Sequence, residues 1–312
     1  MAAGDIEYDM AYSCASGRHT RYSFLAQRYQ MDAGFRPGRG ECWIAWVEPD
    51  QASGLRYTFK WLYDGWYTGL WRSSQDRVWV TDSQGAVFEF ARPEADFKRH
   101  ELPSTLFGIY GLSDLELFAW GERNSRPALF SCDGSAWTEM AAPPFAVDCM
   151  HGLSRDDLWV SGAGGGVARW DGAAWRPLAT GTDERVVSIF VAGPDELYGC
   201  GTGGSVFAGS RTGWTRIGGI TDTDPGDVQA VARWQGELWV ACSRLGLWKR
   251  IGSSDQFDRY KPKLDAVSLD VRDGIVVACK HKVSSSADGA AFRSTAVEHL
   301  LKDRAGKPLG QP

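Results

Sequence analysis

Short apolar runs separated by polar and glycine-rich turns recur along the chain at nearly constant spacing. The clearest copy is Asp157-Leu-Trp-Val-Ser-Gly-Ala-Gly-Gly-Gly-Val-Ala-Arg-Trp-Asp-Gly-Ala-Ala-Trp175. It holds a hydrophobic run, a glycine-rich turn, a second apolar run, an Asp-Gly turn and a closing Trp. Aromatic or apolar anchors at positions 43, 79, 118, 159, 198, 239 and 276 are separated by 36, 39, 41, 39, 41 and 37 residues. A period of about forty residues matches four short strands and their turns.

The copies align with one another. Leu158–Leu178 superposes on Leu197–Ile217 without a gap, pairing Gly162 with Gly201, Val167 with Val206 and Trp175 with Trp214. Each repeat reads as an antiparallel meander. Its first strand resembles Val187–Val191 or Val228–Val231, and a polar turn such as Ser154–Asp157 or Gly193–Glu196 follows. The second strand carries the anchor, and an Asp-Gly turn (64–65, 133–134, 171–172, 288–289) opens the fourth, which begins at Trp137, Trp175, Trp214 or Phe292. Asp and Gly suit such turns because one caps its own backbone and the other tolerates positive φ.

A single meander cannot bury both of its faces. Stacking copies around an axis covers the faces, and closing the circle leaves no long open sheet edge. The pattern therefore predicts an all-β fold, a β-propeller of four-stranded antiparallel blades, with seven blades preferred and six as the alternative. Residues 1–301 read as one propeller domain. Within residues 1–40, the alternating segment 6–12 is expected to complete the last blade and so close the ring. Arg21–Met31 then supplies an inner strand of the first blade, and Phe35–Gly40 a loop. Tyr63-Asp-Gly-Trp66 reads as a turn into a fourth strand, counting 41–68 as a blade. Residues 302–312 are expected to form a polar, flexible tail.

Composition agrees: 15 Trp, 14 Phe and 10 Tyr accompany 37 Gly, as many aromatic strands joined by tight turns require. With 43% apolar residues the chain can bury a large core without disulfides or metal. The net charge of −5 argues against nucleic acid as a partner, since phosphate needs a basic face. No apolar run is long enough to span a bilayer, and the first residues lack the pattern of a secretory signal, so the expected location is cytoplasmic, away from membranes. Seven cysteines, odd in number and without a CxxC pair, read as reduced thiols; Cys200, Cys242 and Cys279 end equivalent strands where a small residue fits.

The segment Leu158–Trp175 resembles bacterial propeller repeats of the sialidase-type (Asp-box) and YVTN/WD40-like superfamilies. The resemblance covers most of residues 41–293 and implies a fold without an activity, since propellers host enzymes, receptors and scaffolds alike. Ser131-Cys-Asp-Gly-Ser-Ala-Trp137 is one residue shorter than an Asp box, and the Gly-His and Trp-Asp pairs of WD40 repeats are absent. Phe35-Arg36-Pro37 is similar to the Phe-Arg-Ile-Pro start of sialidases but lacks a residue.

Candidate chemistry is sparse. The five histidines (19, 100, 151, 281, 299) lie in separate segments with no ligand spacing, so no metal and no cofactor are expected. Asp222-Thr-Asp-Pro-Gly-Asp227 lacks the bidentate Glu of a calcium loop and reads as solvated. Asp148, Asp227 and Asp265 fall near the starts of inner strands, around a channel mouth. The runs Gly162–Gly166 and Gly201–Gly204 join strand to strand, without the helix that a phosphate cradle uses. No catalytic residues are assigned.

The connections from second to third strand, and from blade to blade, depart most from the repeat. Glu122–Pro127 is expected to be a loop about three residues longer than its counterparts. Candidate partner-binding residues there are Arg123, Arg126, Arg185, Asp222, Asp224, Arg244, Lys280, His281 and Lys282. These features point to a non-enzymatic, cytoplasmic propeller, a monomer on its own, that binds a partner protein through this face. A specific version is an immunity or chaperone protein masking a bacterial toxin or effector, whose basic surface an acidic protein would cover. The alternative is a hydrolase or lyase with its site in the central channel.

Overall fold

The computed structural model describes residues 8–30, 41–62, 65–224 and 226–301. They form seven antiparallel sheets of four strands, and within each sheet spatial order follows chain order. The inner strands are Tyr8–Arg18, Tyr67–Arg72, Thr105–Ser113, Val147–Ser154, Val186–Gly193, Val228–Trp234 and Ala266–Val271. Each packs against the inner strand of the next sheet, and the last packs against the first. The protein is thus a seven-bladed β-propeller, with two single-turn 3-10 segments (Ala163–Gly165 and Glu298–Leu300) as its helical content among the described residues.

The anchor periodicity has a packing cause. From Trp79 onward, each anchor side chain leaves its own blade and enters the core shared with the following one. Trp79 of blade 2 packs with Leu106, Ile109 and Leu117 of blade 3. Trp159 of blade 4 meets Val186, Ile189 and Phe207 of blade 5, and Trp239 of blade 6 meets Ala266, Ile275 and Val277 of blade 7. Removing such a buried ring costs about 3–5 kcal/mol in comparable cores. One interface per repeat therefore needs one large side chain per repeat.

Blade 1 departs from the sequence reading. Tyr8–Arg18 does not complete the last blade: it turns at Arg18↔Arg21 and pairs along its length with Arg21–Gln30, which makes it the inner strand of blade 1. Arg21–Gln30 is consequently the second strand, and Trp43 lies on the third, Glu41–Asp50. Blade 7 already has four strands of its own between Ala266 and Thr295, so none is left to be supplied from the N-terminus. Trp43 faces back toward blade 7, in a core with Val276, Ala278 and Val283. The 36-residue step from Trp43 to Trp79 is a coincidence of composition. Gly65 and Trp66 follow the fourth strand, Gly54–Leu62, and lead into blade 2 instead of opening a fourth strand of blade 1. Residues 63 and 64, the Phe35–Gly40 segment and the tail 302–312 lie outside the described residues.

The other Asp-Gly turns stand where expected, between third and fourth strands, with Trp137 and Trp175 opening the strands that follow. Asp133 Oδ1 accepts from the backbone N–H groups of Ser135 and Ala136, and Asp171 Oδ1 from those of Ala173 and Ala174. Each carboxylate closes its own turn.

Candidate functional site

One residue from each inner strand defines a layer across the central channel. Trp71, Tyr110, His151, Phe190, Ala232 and Asp270 are the register partners of Trp79, Phe118, Trp159, Tyr198, Trp239 and Val276. In blade 1 the corresponding pair is Ser16 and Ser23. Ser23 occupies the anchor slot with a small side chain, and the space is taken by the buried Arg72 of blade 2, whose Nη1 donates to Ser23 Oγ at 3.2 Å.

The layer is asymmetric. Blades 2 to 5 contribute four ring-bearing side chains in succession, and blades 6, 7 and 1 contribute Ala232, Asp270 and Ser16. The Tyr110 and His151 rings are 5.1 Å apart between centroids, and those of His151 and Phe190 are 4.7 Å apart. The Tyr110 hydroxyl and His151 Nδ1 are used inside the wall. Tyr110 Oη donates to Gly152 O at 2.8 Å, and His151 Nδ1 accepts from Val191 N at 3.2 Å. Burial pulls the His151 pKa down to about 4, so the imidazole is neutral near pH 7. Behind the arc, glycine makes room for indole: a Cβ on Gly108 would collide with Trp120 Cζ2, and one on Gly111 would lie 2.7 Å from the Trp71 ring.

Across from the arc lies a polar seam. Asp270 Oδ2 accepts from Ser16 Oγ at 2.7 Å and Gly17 N at 2.9 Å, and Arg272 Nη2 donates to the Arg72 carbonyl at 2.7 Å. Together these walls enclose a channel of about 770 Å³, within the range of small-molecule sites. At the mouth where the inner strands begin, Arg185 grips both carboxylate oxygens of Asp148, joining blades 4 and 5, and Phe107 is 42% exposed.

The nine residues expected to bind a partner fall on the same end of the ring, in separate groups. Arg123 and Arg126 close the hairpin between the second and third strands of blade 3, and Arg123 pairs with Glu139 at 2.6 Å. The extra length there is strand, not the longer loop the sequence implies. Register pairing continues to Arg123↔Arg126, and only Asn124 and Ser125, both at positive φ, form the turn. In blade 6, Arg244 bonds Asp227 and lies 2.8 Å from Asp224, while Asp222 is exposed nearby in sequence. Arg244 holds the Asp227 carboxyl below the usual range. Lys280, His281 and Lys282 share one turn of blade 7. The Lys280 carbonyl receives Tyr12 N, and Lys282 Nζ donates to Lys263 O. Arg185 stands at the channel mouth.

The three aspartates expected around the mouth do not converge. Asp148 is bound to Arg185 and Asp227 to Arg244, whereas Asp265 accepts Lys280 N through its backbone carbonyl. Among the described residues, no group of three or more His, Cys, Asp or Glu side chains could hold a metal ion. All seven cysteines are unpaired, and burial pushes the Cys242 thiol up to about 12 and that of Cys279 to about 11. Among the described residues, no helix is long and apolar enough to cross a membrane.

The channel layer escapes the sequence reading, although a signal for it exists. Trp71, Tyr110, His151 and Phe190 each stand eight residues before an aromatic anchor. Trp120, two residues after its anchor, stands where other blades carry Thr81, Ser161, Cys200, Ala241 and Ala278. A large residue in a small-residue slot asks for a compensating glycine, and Gly108 supplies it.

No family model and no curated protein sequence matches the chain. Solved structures do. The WD40 β-propeller domain of Doa1 superposes with a TM-score of 0.67 at 9% identity, over 88% of this chain and 94% of that one. YCF48 bound to a D1 peptide gives 0.64 at 11% identity, over 90% and 94%. The virginiamycin B lyase of Staphylococcus aureus, in a catalytically inactive form with quinupristin, gives 0.60 at 13% identity, over 74% and 84%. At such identities the likeness is one of fold, and by its fold the chain takes its place among the β-propellers.

Proposed function

We propose that the protein is a binding propeller that recognises a partner protein through the end bearing the second-to-third-strand turns and the blade-to-blade links. The observation that carries this reading is the rim itself. Arg123, Arg185 and Arg244 are each tied to a carboxylate of their own chain while leaving 40–53% of the side chain exposed. The exposed Phe107 ring lies inside that rim. Preorganised arginine around an aromatic residue is the composition that dominates protein-binding hot spots, because little side-chain entropy remains to be lost. A neighbour in fold, YCF48, is seen with a bound peptide. The finer version is an immunity or chaperone protein in a cytoplasm that masks a basic toxin or effector, in keeping with the net charge of −5.

The test is co-purification from native cells with wild-type protein and with a folded R123E/R126E/R244E variant. A stoichiometric partner held by the wild type and lost by the variant supports the reading. A partner held equally by both overturns the assignment of the face.

A second reading, a hydrolase or lyase acting in the channel, is favoured by His151, a neutral imidazole within the bore. Turnover of a substrate panel that disappears in His151→Gln would establish it.

A further inference from the structure

The channel combines two kinds of wall. One side is an arc of rings from four successive blades, Trp71, Tyr110, His151 and Phe190, in which the Tyr110 hydroxyl and His151 Nδ1 are bonded within the protein. Facing it are Asp270 and Arg272. Asp270 Oδ2 accepts from Ser16, Gly17 and Arg272 and its Oδ1 from Arg272 Nε at 3.3 Å, whereas Nη1 of Arg272 carries no hydrogen bond among the described residues. The arc is no by-product of the repeat, because the equivalent slots in blades 6, 7 and 1 hold no ring. A chain needing only a filled channel would have no reason to keep the rings on one side and a guanidinium on the other.

We propose that the channel binds a small planar aromatic molecule, uncharged over its rings, with a hydrogen-bond-accepting edge turned toward Arg272. The volume of about 770 Å³ holds two or three fused rings with water to spare. Apolar walls with a few placed polar groups are the common pattern of small-ligand sites. Ring faces and edges of the arc offer stacked and edge-on contacts beyond simple burial. The neutral state of His151 near pH 7 keeps charge out of the arc, where an imidazolium would hold water. An acceptor on the ligand would take the unused Arg272 donor, and a ligand without one would leave it facing the bore. The bore opens at the rim assigned to a protein partner and shares Phe107 and Arg185 with it, but the substitutions that test each, Arg123, Arg126 and Arg244 at the rim and Val187 and Phe190 in the bore, do not overlap, so either reading can fail without the other.

The experiment is a fluorescence titration of the full chain with N-phenyl-1-naphthylamine, a neutral aromatic probe, followed by displacement. Saturable binding at one site is expected, weakened about tenfold in Phe190→Ala, which shortens the arc, and abolished in Val187→Trp, which fills the bore. 2-Naphthol should displace the probe at least tenfold better than its saturated counterpart, decahydro-2-naphthol. Circular dichroism and melting curves establish that both variants are folded, and a variant that is not is replaced by Phe190→Leu or Val187→Phe. Absence of saturable binding by the wild type would overturn the proposal. So would unchanged binding in both folded variants, which would place the probe on the surface, or equal displacement by the two alcohols, which would remove the aromatic preference.

Discussion

Val297 donates its backbone N–H to the Tyr12 hydroxyl at 3.0 Å, joining residues 285 positions apart. The ring is closed by contacts of this kind and not by a shared strand. Tyr12 N donates to the Lys280 carbonyl, Ala15 N to Ser268 Oγ, and Tyr57 Oη to Thr295 Oγ1. Tyr12, Phe24 and Trp43 of blade 1 share one core with Val276, Val283 and Val297. Closure thus rests on packing and hydrogen bonds at a single seam. Tyr12→Phe keeps the ring in that core but leaves the Val297 N–H buried without an acceptor, at a cost of about 1–3 kcal/mol. A lower melting temperature is the expected outcome. Tyr57→Phe, made at a half-buried site of the same seam, should cost less, and the difference is measurable by urea denaturation.

The contact between Gly108 and Trp120 makes a second, sharper prediction. A Cβ at 108 would sit inside van der Waals contact with the indole, and the ring is itself buried in the core shared with blade 4. Gly108→Ala should destabilise by about 1–3 kcal/mol, the usual cost of overpacking. Trp120→Leu in the same chain should recover part of that loss. A double-mutant cycle in which the two effects simply add would show that the glycine is there for another reason.

How much of this is legible in the chain follows the same division. Blades 2 to 7 can be read because the core each shares with the following blade takes an apolar residue at a fixed place, as Trp79, Trp159 and Trp239 show. Blade 1 cannot, because its anchor slot holds Ser23 and its volume comes from Arg72, a residue of the next blade. No pattern within one repeat can reveal a slot filled from its neighbour. The rim stands out because its residues break the repeat, but their internal pairings do not, since Arg185 and Asp148 are 37 positions apart. The aromatic arc is written at a constant offset from the anchors, yet it falls on strands whose pattern otherwise shows only apolar alternation.

His151 predicts a limb in the pH dependence of stability. Its pKa is pulled to about 4 by burial, below the ordinary value of 6.5. Between those values the unfolded chain binds a proton that the folded one does not. Stability therefore rises with pH across this window and is lost as pH falls from about 6.5 toward 4. Melting temperatures measured from pH 7 to pH 4 should show that decline in the wild type. His151→Gln, which cannot titrate and can still accept from Val191 N, should be nearly level over the same range. An equal decline in both would assign the effect to other groups.

The Asp-Gly turns act at lower pH and with a different cause. The Ser135 hydroxyl and the N–H groups of Ala136 and Ser135 draw the Asp133 carboxyl down to about 2, and backbone donors lower Asp171 and Asp288 as well. A carboxylate with a depressed folded pKa contributes stability above its unfolded value, near 3.9, and that contribution disappears as pH falls through the folded value. Below pH 4 the protein should lose stability with a slope set partly by these three turns. Asn at all three positions keeps the Oδ1 acceptor and discards the charge. The triple variant should be slightly less stable at pH 7, where charged acceptors bond more strongly, and should show a shallower slope between pH 4 and pH 2. Acid titration of both proteins by circular dichroism measures the two slopes directly. Identical slopes would mean that the turn carboxylates are exposed enough for water to replace their backbone donors at no net cost.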